Sequence, residues 1–266
     1  MATLNLKARY FVDSTPENVP CREENFIRRE LVFPLPVQRT ALVLVDLWNK
    51  HHIESWIERA SKMAQEVIVP LINRARETGI AVVFAPSPGV IREVPGKYHV
   101  YPGTGIPEAA TAIPKATWPP AEFIDRRGEF ELYRGPRSQN PPIRAHWPKT
   151  PIFDLAPCIS VQEEDYVIAT GDQLHDLCTE LGVFHILFAG FATNWCILNR
   201  DYGVVHMRAR GYNTMLMRDA TEGVEFPDTL ADRWATEIAI REVEQRHGFS
   251  VSNDDFYDAC RFLDDE

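Results

Sequence analysis

R-T-A-L-V-L-V-D-L, running from Arg39 to Leu47, is the stretch on which the fold turns. A strand with one wet face alternates apolar and polar residues. This one does not alternate, and it ends in an acid. It reads as a strand buried on both faces, as in a parallel sheet covered on both sides. Downstream, Ile53 to Thr78 carries Ile57, Ala60, Met63, Ala64, Val67, Ile68, Leu71 and Ile72 at helical spacing, and Gly79 suits a helix stop. Ile80 to Ala85 is a second apolar run. Strand, helix, strand is a βαβ unit.

The regular pattern then breaks. From Pro86 to Pro157 lie 14 of the 20 prolines, a density incompatible with long helices or central strands. A loop this long inside a compact domain is commonly functional. The stretch of about 86–160 is therefore expected to be an insertion that caps a pocket or meets another subunit; a surface loop without a role is the plainer reading. Regularity returns at Asp165. Strands are expected at Tyr166–Ala169, Phe184–Phe191 and Tyr212–Met217, and an edge strand at Phe249–Val251. Helices are expected at Asp172–Leu181, Asn194–Arg210, Pro227–His247 and Asp254–Phe262. In Pro227–His247, Leu230, Trp234, Ile238 and Val243 are expected to face inward. The alternation predicts an α/β chain with a mostly parallel sheet in three layers, α/β/α. Upstream, residues 1–38 are polar and contain Pro16, Pro20, Pro34 and Pro36. They read as an N-terminal arm that lies over the domain or reaches a neighbour, with the domain itself at 39–266.

The 266 residues are 45% hydrophobic and 25% charged, enough to build a core. A formal net charge of −10 argues against nucleic acid or an anionic membrane as partner. No apolar run reaches the roughly 20 residues of a spanning helix, and Met1 to Arg9 has no signal-peptide core. The five cysteines are scattered and form no C-x-x-C pair. Reduced thiols in a cytoplasmic protein are expected rather than a disulfide framework or a structural zinc site.

In an open parallel sheet, ligands bind beyond the carboxyl ends of the strands. Asp46 falls there, as do Thr170, Gly171 and Asp172, then Ala192, Thr193, Asn194 and Cys196, then Asp219. Cys196 lies in the first turn of its expected helix, where free N–H groups favour a thiolate and can hold an oxyanion. The other reading of Cys196 is a small buried apolar residue. Cys178, among Leu174, Leu177 and Leu181, reads as core. Asp46 needs a partner to be tolerated at the end of an apolar strand; it reads either as a base for the cysteine or as a loop cap.

These segments resemble a known family. G-F-A-T-N-W-C (Gly190 to Cys196) resembles the nucleophile motif of the isochorismatase-like cysteine hydrolases. A-L-V-L-V-D-L-W-N (Ala41 to Asn49) is similar to their acid-bearing first strand. R-A-R-G-Y-N-T-M-L-M-R-D (Arg208 to Asp219) is similar to the strand after their nucleophile helix. The resemblance covers roughly residues 39–85 and 160–250. It implies a Rossmann-like or flavodoxin-like three-layer fold and an Asp, Lys, Cys triad. By that resemblance Cys196 attacks a carbonyl carbon and Asp46 takes its proton. The N–H groups of Ala192 and Cys196 form an oxyanion hole, and the Phe191–Ala192 peptide is cis. The family lysine would stand at the end of the strand before the nucleophile strand, where this chain has Thr170. Lys149, Lys97, Lys50 and Arg144 are the replacement cations considered. Members that cleave a vinyl ether generally lack the cysteine, so Cys196 implies the branch that cleaves amide, carbamoyl or ureido C–N bonds. Nicotinamidases of the family hold a metal after the second strand. A-P-S-P-G-V (Ala85 to Val90) has no histidine there, and the adjacent His51 and His52 make a poor pair, so no metal and no cofactor are expected. The implied partners are a small-molecule substrate and further copies of the chain. Two other readings remain open: a non-catalytic binding protein that keeps the fold, and an enzyme of another class that uses Asp46 with a local cation.

Overall fold

The computed structural model describes residues 2–103, 118–133 and 146–264. Its eight strands are β1 (Thr3–Phe11), β2 (Arg28–Pro36), β3 (Thr40–Val45), β4 (Ala81–Ala85), β5 (Tyr166–Val167), β6 (His185–Phe191), β7 (Asn213–Glu222) and β8 (Phe249–Val251). They form one sheet in the order β2-β1-β8-β7-β6-β3-β4-β5. Every pairing from β8 through β5 is parallel; β1 is antiparallel to β2 and to β8. All six residues of β3 are buried, as a strand at the middle of three layers requires. Its successive side chains point to opposite faces. Leu42 and Leu44 enter one core, while Ala41, Val43 and Val45 enter the other.

The first core is closed by α1 (Glu54–Met63), α2 (Val69–Thr78) and α8 (Asn253–Asp264) through Trp56, Ala60, Leu71, Phe256 and Ala259. A π-helical turn, Ala64–Ile68, joins α1 to α2, so 54–78 is helical throughout and ends at Gly79 in the left-handed conformation. The second core is closed by α5 (Gly171–Leu181), α6 (Val204–Ala209) and α7 (Trp234–Glu242) through Leu174, Leu177, Cys178, Met207, Ala239 and Ile240. Between β4 and β5 the described residues form α3 (Ser87–Glu93) and the short α4 (Ala121–Ile124).

Several expectations need correction. The segment 194–210 is not one helix. A π-helical turn, Thr193–Ile197, is followed by a tight turn at Gly203 before α6 begins. A Cβ on Gly203 would stand 2.7 to 2.9 Å from the carbonyl oxygens of Ile197, Leu198 and Arg200. The strand β7 runs past Asp219 to Glu222. Asp219 is exposed there, and its carboxylate accepts the N–H of Asn253 at 3.0 Å, so it belongs to the start of α8. The helix expected from Pro227 starts at Trp234, and its phase differs: Leu230, Trp234 and Ile238 are 48%, 44% and 54% exposed, while Thr236, Ala239, Ile240 and Val243 are buried. Thr236 tolerates burial because Glu225 and the Gly223 N–H satisfy its hydroxyl. β8 is not an edge strand. It lies between β7 and β1, because the N-terminal residues read as an arm form a hairpin that extends the sheet. Leu4, Leu6 and Ala8 of β1 are buried and alternate with exposed Asn5 and Lys7, a period of two. Arg9 of β1 and Arg28 of β2 both donate to the buried Glu244 carboxylate, at 2.7 and 3.0 Å, which fastens the hairpin to the π-helical end of α7.

Candidate active site

At the carboxyl end of β3 the chain passes through Asp46 with φ of +50°, a left-handed conformation that aspartate tolerates better than most residues. The Asp46 N–H still donates to Ala85 O of the neighbouring strand at 3.0 Å. The side chain is fully buried. A carboxylate removed from water costs several kcal/mol unless it is paired. Here Arg200 donates from Nε and Nη2 to Oδ2 at 3.2 and 3.1 Å, and the buried Tyr202 hydroxyl donates to Oδ1 at 3.3 Å.

Beside Asp46, β6 ends in G-F-A-T-N-W-C. Gly190 has φ of +109°, and a Cβ there would stand 2.2 Å from Val45 O. Only glycine lets the end of β6 press this closely on the end of β3, which sets the turn that bears Cys196 next to Asp46. The Phe191–Ala192 peptide is cis. Thr193 and Asn194 pin the turn to the end of β7. The Thr193 hydroxyl meets Thr221 Oγ1 at 2.7 Å, and Asn194 exchanges two hydrogen bonds with the Val224 backbone at 2.8 and 3.0 Å. Cys196, partly buried, follows within the π-helical turn.

The groups at this corner are electrostatically coupled. Burial pushes the Cys196 thiol up, and the adjacent Asp46 charge pushes it further; the Arg200 guanidinium and a hydrogen bond from the Ala192 backbone partly oppose this. Burial also raises Asp46, opposed by Arg200, by the Cys196 thiol and by Tyr202. Burial thus favours the protonated form of both groups, and the Arg200 guanidinium opposes it at both. The chemistry open to such a corner is transfer of the thiol proton to Asp46 as the sulfur attacks an electrophile.

The family model for the isochorismatase domain matches residues 40–246, a span that contains both strand ends and the turn. The chain belongs to the isochorismatase family. The match leaves out the N-terminal hairpin and the end of the chain. A solved structure supports the fold. A cysteine hydrolase from Pseudomonas syringae pv. phaseolicola superimposes with a TM-score of 0.56 at 16% identity, over 87% of this chain and 96% of that one. An isochorismatase family protein from Burkholderia thailandensis gives 0.49 at 17% identity, over 84% and 96%. No curated protein matches the sequence.

In this isochorismatase-family chain Thr170, where the sequence reading expects the family lysine to stand, is the cap of a helix. Thr170 Oγ1 accepts the Gln173 N–H at 3.2 Å, and Gln173 Oε1 accepts the N–H of Ala169 and of Thr170 at 2.7 and 3.1 Å, a capping box for α5. The next residue, Gly171, packs on the turn that follows Arg200: its N–H donates to Asp201 Oδ2 at 2.7 Å, and a Cβ would stand 2.2 Å from Asp201 O. Of the cations considered from sequence, Lys97 pairs with Asp154, Lys50 donates to the carbonyls of Pro148 and Pro151 at 3.1 and 2.6 Å, and Lys149 is exposed. Arg144 lies outside the described residues. Among the described residues the cation on Asp46 is Arg200, which the sequence reading missed. Its signal was the spacing: Arg200 is four residues after Cys196, and its N–H donates to Cys196 O at 3.1 Å, so both side chains rise from one turn.

Aromatic rings gather next to this corner. Trp48, Trp147 and Trp195 lie with centroids 5.9, 5.8 and 6.4 Å from the His51 ring. Burial lowers the His51 pKa to about 4, helped by His52, so the ring is neutral at pH 7. Its Nδ1 accepts the Ile53 N–H at 3.2 Å, which leaves the ring proton on Nε2. Trp118 is 78% exposed. Residues 147–156 lie over this end of the sheet. Asn49 donates to Ile152 O at 2.8 Å, and Ala156 donates to Leu47 O at 2.8 Å. Among the described residues, no group of three or more His, Cys, Asp or Glu side chains could hold a metal ion, and no helix is long and apolar enough to cross a membrane.

Proposed function

We propose that this protein is a cysteine hydrolase that cleaves the C–N bond of a small amide, carbamoyl or ureido compound through an acyl-enzyme on Cys196. The observation that carries this reading is the hydrogen bond between the Cys196 thiol and the buried Asp46 carboxylate, with a further one from the Ala192 backbone to the sulfur. In the first half-reaction the sulfur bonds to the carbonyl carbon as the thiol proton passes to Asp46. The oxyanion is held by the Ala192 and Cys196 N–H groups. The C–N bond then breaks, and the departing nitrogen takes the proton from Asp46. In the second half, water gives a proton to Asp46 while its oxygen bonds to the acyl carbon. The C–S bond breaks and the proton returns to sulfur. Each half returns the site to its starting protonation.

All five cysteines are free, which supports a reducing, cytoplasmic setting. Self-association belongs to the same proposal and is supported by a row of exposed apolar side chains at Phe226, Leu230, Trp234 and Ile238. The test of activity is ammonia release from a panel of small primary amides, carbamoyl amines and ureido acids. Cys196→Ala is expected to lower turnover of any hydrolysed member at least ~10³-fold. Hydrolysis that survives Cys196→Ala intact would remove the reading.

A further inference from the structure

We infer that Arg200 is the positioning cation of the Asp46–Cys196 pair, so that the charge a lysine supplies elsewhere in the family comes here from the nucleophile's own turn. The inference rests on the reading of Cys196 as nucleophile. Three linked features of the geometry support it. Arg200 places two N–H groups on one Asp46 oxygen, at 3.1 and 3.2 Å, while Tyr202 holds the other. The lysine position is closed, because Thr170 is spent on the cap of α5 and Gly171 is pressed against Asp201. That same contact braces the turn from which Arg200 and Tyr202 project, and Gly203 completes it by donating to Arg200 O at 2.7 Å. Losing the lysine and gaining the arginine are thus two sides of one packing arrangement.

The exchange has a chemical consequence. A guanidinium is planar, directs paired donors at a carboxylate, and does not give up a proton at accessible pH. A lysine ammonium can enter the proton traffic of a site; Arg200 cannot. Every proton moved in the reaction passes through Asp46 alone. Arg200 fixes which Asp46 oxygen stays anchored and supplies the positive charge that offsets the thiolate formed in the attack.

The test needs no substrate. The rate of iodoacetamide alkylation of the Cys196 peptide is followed by mass spectrometry from pH 6 to 10.5 in the full-length protein, with the exposed Cys21 as internal reference. Arg200→Gln is expected to slow alkylation of Cys196 about tenfold at pH 8.5 and to move its apparent pKa up by about one unit, the shift that a tenfold change represents. Arg200→Lys is expected to recover most of that loss, because it keeps the charge. Tyr202→Phe, which removes a neutral donor, is expected to move the profile by less than half as much as Arg200→Gln. Thermal melts of each variant separate misfolding from an altered pair. If Arg200→Lys behaves like Arg200→Gln in a folded protein, or if Arg200→Gln leaves the profile in place, Arg200 is not the cation. If instead wild-type Cys196 shows no alkylation at any pH while Cys21 reacts, it is the nucleophile reading that fails.

Discussion

Gly190 shows how little freedom the turn that bears Cys196 has. Its φ of +109°, and the mere 2.2 Å that would separate a Cβ from Val45 O, leave no room for a side chain against backbone. Gly190→Ala is expected to cost on the order of 3 kcal/mol, from a strained φ and a backbone shift at the β3–β6 contact. A denaturant midpoint against wild type checks this, and a loss below about 1 kcal/mol would mean that the two strand ends can part easily. Cys196 and Asp46 were legible in the sequence because each follows an apolar run at a strand end. Arg200 was not, because the replacement cations considered, Lys149, Lys97, Lys50 and Arg144, all lie away in sequence from the turn that carries the sulfur, whereas Arg200 is one helical turn beyond it. Tyr202 was missed for a related reason: it lies where the sequence was read as continuous helix, and the turn at Gly203 is what carries it to Asp46.

The elements hold the site through their ends. Glu225 sits ahead of α7 and accepts the N–H of Ala235 and of Thr236, both at 2.9 Å, together with the hydroxyls of Thr229 and Thr236 at 2.6 Å. Burial alone would raise its pKa, but these hydrogen bonds more than offset that and hold the carboxyl below its ordinary value of 4.5. A depressed carboxyl pKa adds stability that is present above the unfolded value and is lost as pH falls through the folded one. Glu225→Gln should therefore cost about 1 kcal/mol at pH 7, typical for a helix cap, and the difference from wild type should shrink below pH 4. Urea midpoints at pH 7 and pH 3.5 measure both, and an equal penalty at the two would show that the charge contributes nothing. The same capping explains why the phase of α7 was misread. Leu230 and Trp234 suggested an inward face, but the helix begins where Glu225 caps it, and that start turns Thr236, Ala239 and Ile240 to the core.

At the scale of the whole molecule, the parallel half of the sheet was readable from apolar runs such as Ala41–Val45, since burial on both faces leaves no polar residue to misdirect the reading. The antiparallel extension was harder to read. In β2, Pro34 and Pro36 disguise a nine-residue strand; they are tolerated because β2 is the edge of the sheet. The phase of α7 also leaves an exposed apolar row, Phe226, Leu230, Trp234 and Ile238, of which Phe226, Trp234 and Ile238 line a cavity of about 340 Å³. If a second copy covers it, sedimentation equilibrium will give an oligomer for wild type and a smaller species for Ile238→Asp. A wild-type monomer at micromolar concentration would end that part of the proposal. The most direct measurement of the central claim is acid quenching of the protein during turnover of whichever amide of the panel releases ammonia, followed by peptide mass spectrometry. A thioester carrying the substrate's acyl group on the Cys196 peptide is the predicted result. Turnover with no adduct on that peptide, and at an unchanged rate in Cys196→Ala, would contradict it.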